Sequence, residues 1–375
     1  MRAYSYRYAG LSLLILGTLF VLGCGSQSSG PTARQVEQVI AGASKQYGVP
    51  GMAAAVITPD RIVSASTGVH KLGEATVIGR NDLFHLGSDV KSMTAMLAAH
   101  EVESGKLQWT ATLAEIFPEF VPSMQPAYQS VTIQDLLDHR AAILPFLDQA
   151  SLGTIPPLTG DALHQRYQFT GWVLQQTPTG VPGQDFAYSN GGYVVAGAVI
   201  EKIAGQPYET LLQQFLFTPL NLHVKYNWPG YQDPNQPWGH LLVNGALTPN
   251  DPNAPQNEIP AFITPAGNVS VSVEDFARYA QVHLQGLLGN ATLLSKSSYT
   301  TLHTPVGQYG LGWAAGADAS GVPLTFHEGS AGTFDAWIVI QPAKKRAIVL
   351  LSNADSTAIE SGDAGTALQL LDLAQ

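Results

Sequence analysis

Ser88 and Lys91 stand three residues apart in Phe84-His85-Leu86-Gly87-Ser88-Asp89-Val90-Lys91-Ser92-Met93, at the head of a stretch rich in Ala, Met and Leu. A serine hydroxyl attacks a carbonyl only when a neighbouring group takes its proton in the transition state. Residues i and i+3 of a helix share a face, which brings the Lys91 amine within reach of the Ser88 oxygen. By itself a Ser-x-x-Lys is more often an exposed helix start than a nucleophile with its base.

Two further stretches carry the same kind of potential. In Phe186-Ala187-Tyr188-Ser189-Asn190-Gly191-Gly192-Tyr193, Tyr188 and Asn190 are two apart ahead of a helix of small apolar residues. In extended backbone such a pair points one way, so Tyr188 can relay a proton while Asn190 holds a substrate amide. Alone, the same two residues would be a turn tyrosine and a helix-capping asparagine. In His327-Glu328-Gly329-Ser330, ahead of the strand-like run 336–340, the glycine lets a substrate lie close to a strand edge. The N–H that follows can point at a developing oxyanion.

Taken together, in this order and separated by about a hundred residues or more, the three motifs resemble those of the serine β-lactamase and penicillin-binding-protein superfamily. Tyr-x-Asn in second place is similar to its class C β-lactamase branch, and His-x-Gly in third place to the family VIII esterase and D-aminopeptidase relatives of that branch. Further phrases of the resemblance are Asp135-Leu136-Leu137-Asp138-His139-Arg140, Pro265-Ala266-Gly267-Asn268, Tyr309-Gly310-Leu311-Gly312-Trp313 and Leu350-Leu351-Ser352-Asn353-Ala354.

The resemblance implies a serine hydrolase with Ser88 as the acylated nucleophile, Lys91 as the group that accepts its proton and Tyr188 as a partner in the relay to the leaving group. It makes Asn190, His327, Gly329 and Ser330 substrate-binding residues, with the N–H groups of Ser88 and Ser330 as oxyanion hole. Its substrates would be a small ester, a D-amino-acid amide or peptide, or a β-lactam, and it requires no cofactor and no metal. A lysine base needs burial, because its ordinary pKa of about 10.4 keeps it protonated at neutral pH. His327-Glu328 replaces the Lys-Thr of the β-lactamases. A histidine of ordinary pKa about 6.5 gives little charge to bind an anionic antibiotic. Ala141-Ala142-Ile143 also departs from the commoner Thr-Ser-Gly after the Leu-Leu-x-His phrase.

Composition narrows the alternatives. Asp and Glu outnumber Lys and Arg 28 to 18, giving net charge -10, and no basic run could neutralise a phosphate backbone, so nucleic acid is excluded as a partner. No Gly-x-Ser-x-Gly elbow is present, and neither His100-Glu101 nor His327-Glu328 continues to a second zinc-binding histidine. The rival from another class is a non-catalytic, lipid-anchored binding or sensor protein that keeps the fold without turnover. The oligomeric state has no signature in the sequence.

Residues 1–23 read as an export signal: Arg2 and Arg7 precede an apolar run over 11–22 that is too short to span a membrane comfortably. Val21-Leu22-Gly23-Cys24 resembles a bacterial lipobox, which implies lipidation of Cys24, a tether over 24–33 and a place in the cell envelope, anchored to a membrane. Cys24 is the one cysteine of the chain, so neither an intramolecular disulfide nor a thiol nucleophile is available.

The elements that must position these residues are read from periodicity. Apolar spacing predicts a first helix over 33–47, a hairpin of strands over 52–58 and 62–67, a helix over 88–104 and another over 273–285. Apolar runs at 310–315, 336–340 and 347–351 and a final helix after Ser361 complete the pattern. The expected fold is α+β: one antiparallel sheet built from N- and C-terminal segments and flanked by helices, within a single hydrolase domain over 34–375. A mostly helical insert is expected over 107–255, where no regular strand alternation is visible.

Overall fold

In the computed structural model, which describes residues 30–290 and 292–374, the strands in chain order are β1 (Gly51–Ile57), β2 (Ile62–Gly68), β3 (Leu83–His85), β4 (Val224–Tyr226), β5 (His240–Val243) and β6 (Ala246–Pro249). They continue with β7 (Val269–Ser272), β8 (Ala314–Ala317), β9 (Pro323–Ser330), β10 (Asp335–Gln341), β11 (Arg346–Ser352) and β12 (Ala354–Asp355). The signal over 1–23, Cys24 and most of the tether lie outside the described residues.

Strand β1 is buried from end to end, and its alternation shows what covers it. Met52, Ala54 and Val56 join Val36 and Ile40 of helix α1 (Ala33–Tyr47) and Leu370 of the C-terminal helix Thr357–Leu373 in one apolar layer. Ala53, Ala55 and Ile57 join Ala277 and Ala280 of the helix Val273–Leu288 in a second, larger layer. A strand with side chains of period two can be apolar throughout only if both faces are covered.

The sheet is antiparallel, in the order β2-β1-β11-β10-β9-β8, so N-terminal strands sit beside C-terminal ones. The register places Met52 opposite Ser352, and Asp335 opposite both Ser352 and Ser330. Among the described residues no helix is long and apolar enough to cross a membrane.

Residues 107–255 carry helices such as Ala162–Val173 and Asn190–Ala204, and also the strands β4, β5 and β6. Strand β4 pairs with β7, and β5 runs parallel to β12, so this part of the chain returns to the body of the protein. The β5–β6 hairpin turns on Asn244 (φ 51) and Gly245 (φ 84). Two positive φ values match the two-residue turn that Asn-Gly favours between twisted strands.

The helix Asn190–Ala204 is fastened from below. Arg166, with no exposed surface, binds Glu201 through Nε (3.1 Å) and Nη2 (2.5 Å), and Glu209 through Nη1 (2.9 Å) and Nη2 (2.8 Å). Two forked contacts satisfy the guanidinium where water cannot reach it. On the same helix Gly197 abuts Pro265, which fixes the helix against the short turn Thr264–Gly267.

Candidate active site

Ser88 sits in a single 3-10 turn, Gly87–Asp89, that runs straight into helix α2 (Val90–Glu103). Three distant segments of chain meet at this turn. Gly87 has φ 48, and a Cβ there would lie 2.5 Å from the Ser330 nitrogen. A Cβ on Gly329 would overlap the Leu86 carbonyl oxygen and lie 2.9 Å from the Ser88 nitrogen; one on Gly267 would lie 2.6 Å from the Gly87 oxygen. Glycine is required because backbone touches backbone on every side of the serine.

Lys91 has no exposed surface. Its Nζ lies 2.9 Å from Ser88 Oγ, 2.8 Å from Asn190 Oδ1 and 2.7 Å from the Ala266 carbonyl oxygen. All three partners are uncharged. Burial pushes the Lys91 amine well below its ordinary pKa, with the nearby Asp89 carboxyl opposing the shift. A neutral amine has two hydrogens, which suit Asn190 and Ala266, and a lone pair, which suits the Ser88 hydroxyl proton.

Tyr188 is nearly buried, and its ring faces the same amine, 4.9 Å from Nζ to the centroid. His139 packs against it at 4.1 Å between centroids and against Tyr309 at 4.8 Å. The helix that follows is capped by Ser189, whose Oγ accepts the Gly192 N–H at 2.9 Å, and not by Asn190. Asn190 is thereby the first helical residue, with its amide turned inward: Oδ1 to Lys91 and Nδ2 donating to the Phe146 carbonyl at 3.0 Å.

His327 is buried, with both ring nitrogens engaged by protein: Nδ1 with Asp89 Oδ1 at 3.1 Å and Nε2 with Tyr309 Oη at 2.9 Å. Burial pushes its pKa down to about 3. Both ring nitrogens of His327, expected from the sequence to face substrate, are engaged within the protein and tie β9 to the Ser88 turn. The Ser330 hydroxyl is likewise turned inward, donating to Asp355 and accepting the Gly332 N–H, so what Ser330 can offer a substrate is its backbone. Ser88, Lys91, Tyr188, Asn190, Gly329 and Ser330 are brought together; Cys24 lies outside the described residues.

Asp89, Tyr309, His139 and the Ala266 carbonyl were given no role from the sequence. Asp89 lies inside the Ser-x-x-Lys motif, and Tyr309, His139 and Ala266 stand only within the accompanying phrases of the resemblance. Behind Ser330, a group of carboxyls from β9, β10, β12 and the C-terminal helix (Glu328, Asp335, Asp355, Glu360 and Asp363) is pushed upward by burial and by mutual repulsion. Among the described residues no three His, Cys, Asp or Glu side chains are arranged to hold a metal ion.

Antiparallel sheets flanked by helices match the fold of the serine β-lactamase and penicillin-binding-protein superfamily, whose motifs the sequence resembles at Ser88-x-x-Lys91 and Tyr188-x-Asn190. The family described as Beta-lactamase matches residues 36–372, and the chain belongs to it. It is 28% identical over 323 residues to Penicillin-binding protein 4 of Amycolatopsis lactamdurans, covering 82% of each chain. It is 25% identical over 362 residues to the Unguisins hydrolase ungD of Aspergillus violaceofuscus, covering 88% of this chain and spanning 62% of that relative's length. Among solved structures, a class C β-lactamase superposes with TM-score 0.74 at 22% identity, over 90% of this chain and 95% of its own, a likeness of fold.

Proposed function

We propose that this protein is a serine hydrolase that works through an acyl-enzyme on Ser88. The observation that carries the reading is the 2.9 Å contact between Ser88 Oγ and a fully buried Lys91 whose other partners are neutral. Relatives in the family include proteins named as a hydrolase and as a class C β-lactamase.

In the first step Ser88 Oγ attacks the substrate carbonyl carbon while its proton passes to the Lys91 lone pair. Charge collects on the carbonyl oxygen, for which the N–H groups of Ser88 and Ser330 are the donors. The first turn of a helix has N–H groups with no intrahelical acceptor, which suits the Ser88 N–H to this task. Collapse breaks the bond to the leaving group, which takes the proton back from Lys91 by way of Tyr188. Water, deprotonated by the same base, then cleaves the Ser88 ester and restores the enzyme. Asn190 holds the amine in line and has one Nδ2 hydrogen beyond that spent on Phe146 for a substrate oxygen.

For substrates, small esters and D-amino-acid amides or peptides rank above β-lactams. A neutral His327 spent on Asp89 and Tyr309 supplies no cation for a β-lactam carboxylate. The half-exposed Phe186 adds an aromatic rim 6.0 Å from Tyr309. A turnover panel of p-nitrophenyl esters, D-alanyl peptides and a chromogenic cephalosporin tests this ranking, which fails if the cephalosporin is the best substrate. Covalent labelling by a fluorophosphonate should disappear in Ser88→Ala; absent labelling of the native protein would favour the binding or sensor reading. We also infer export and lipid anchoring through Cys24, supported by the basic, apolar and small-residue order of 1–24. Incorporation of a fatty-acid probe that persists in Cys24→Ser would reject it.

A further inference from the structure

Asp89 follows the nucleophile directly, is completely buried, and has one oxygen, Oδ2, with no hydrogen-bond partner. Its other oxygen faces Nδ1 of His327 at 3.1 Å, and Nε2 of His327 faces Oη of Tyr309 at 2.9 Å. An ionised carboxylate with a bare buried oxygen carries the full desolvation cost of that charge, whereas the carbonyl oxygen of a neutral acid costs far less.

We propose that Asp89 is held as a neutral carboxylic acid whose O–H donates to Nδ1 of His327, that the Nε2–H of His327 donates to Oη of Tyr309, and that this uncharged bridge leaves Lys91 able to act as a neutral base. Asp89, His327 and Tyr309 are positioning residues that act through Ser88 and Lys91; only the last link rests on the hydrolase reading above. The bridge fastens β9 and the Tyr309 segment to the nucleophile turn without placing an anion beside the amine. An anion there would stabilise the ammonium and withdraw the base.

The groups facing Asp89 agree. From helix α2 comes Lys91, which opposes the shift only when protonated; from β9 come His327 and Glu328, the latter a second acid that disfavours an Asp89 charge. From the helix Val273–Leu288 comes Tyr279, whose hydroxyl pairs at 2.8 Å with Ser92 Oγ, itself a donor to the Asp89 backbone carbonyl at 2.6 Å. His139, kept neutral by burial, lies beside Lys91 and His327 and adds no charge to the bridge. Burial is the largest influence on Asp89 and pushes it well above the carboxylate range.

The decisive measurement needs no turnover. Ring 15N spectra of the intact protein near pH 7, with His327 assigned by its loss in His327→Gln, should show Nδ1 unprotonated and Nε2 protonated; a protonated Nδ1 would overturn the proposal. An infrared difference between native protein and Asp89→Asn should show loss of a protonated-carboxyl band, and loss of a carboxylate band instead would overturn it. In the pH profile of acylation, Asp89→Asn should move the acid limb by less than about 0.3 unit, since no charge is removed, whereas a larger downward shift means an anion was lost. Failure of the hydrolase reading would remove the pH profile and leave the other two readouts intact.

Discussion

Asn190 accepts a hydrogen bond from Lys91 at 2.8 Å while donating to the Phe146 carbonyl at 3.0 Å, so the amide is locked in one orientation with its oxygen toward the amine. A neutral acceptor orients the amine without charging it. Asn190→Asp keeps the shape and adds an anion, which raises the Lys91 pKa. The acid limb of acylation should move upward by about one pH unit or more. The pH dependence of fluorophosphonate labelling measures it, and an unmoved limb would separate Lys91 from the base role.

Removing the amine altogether tests the same assignment by rate. Lys91→Ala should slow acylation by about 10²- to 10⁴-fold, the usual contribution of a positioned proton acceptor. Circular dichroism should show a folded protein, because the lost side chain has no charged partner to strand. Near-native labelling rates would reject Lys91.

Gly329 has no room for a side chain, since a Cβ there meets Leu86 and Ser88 backbone that cannot swing aside. Gly329→Ala should cost about 1–3 kcal/mol through overpacking and abolish labelling of Ser88 by displacing the turn. Denaturant melts alongside labelling read both effects, and a fully active, equally stable variant would show that β9 does not press on the nucleophile.

The carboxyls behind Ser330 make stability depend on pH with a definite sign. Burial, with repulsion from neighbouring acids, pushes Glu328 up to about 8 and Glu360 to about 7; burial is also the main cause for Asp363, raised to about 6. These groups hold protons in the folded state that the unfolded chain has released, so their contribution falls as pH rises toward 8. Buried neutral histidines act oppositely: burial lowers His85 to about 4 and His303 to about 3, so their contribution falls as pH drops from about 6.5. Above pH 6.5 the histidines are still finishing their titration in the unfolded chain, and Lys91, whose pKa burial lowers, also favours the fold as pH rises, so the acids are isolated by comparing variants. Measured as the difference between the native protein and Glu328→Gln, the thermal midpoint should fall from about pH 6.5 to 8.5; a difference that stays flat or rises over that range would contradict the burial of this acid.

The parts of this molecule legible in its sequence are those written in local spacing. The i, i+3 relation of Ser88 to Lys91 and the hairpin expected over 52–58 and 62–67 survive folding because helix and strand geometry translate them directly. Asn190 was legible as a residue that could hold a substrate amide, but its competing reading as a cap fell to Ser189, a choice between neighbours that spacing does not make. The Ala266 carbonyl carries no side-chain signature at all. His327 reads in sequence as a ligand for substrate; only the folded chain brings Asp89 and Tyr309 to its two nitrogens. The β5–β6 hairpin was announced by Asn244-Gly245 between apolar residues, and the surrounding Pro and Asn masked it.

The meeting of residues 87, 267 and 329 around one turn also governs when the molecule comes alive. Each contact closes a loop of chain whose ordering is repaid only when the far segment arrives. On a nascent polypeptide this turn cannot be completed until residue 330 has been synthesised and seated against the early part of the chain, so the candidate site is among the last features to form.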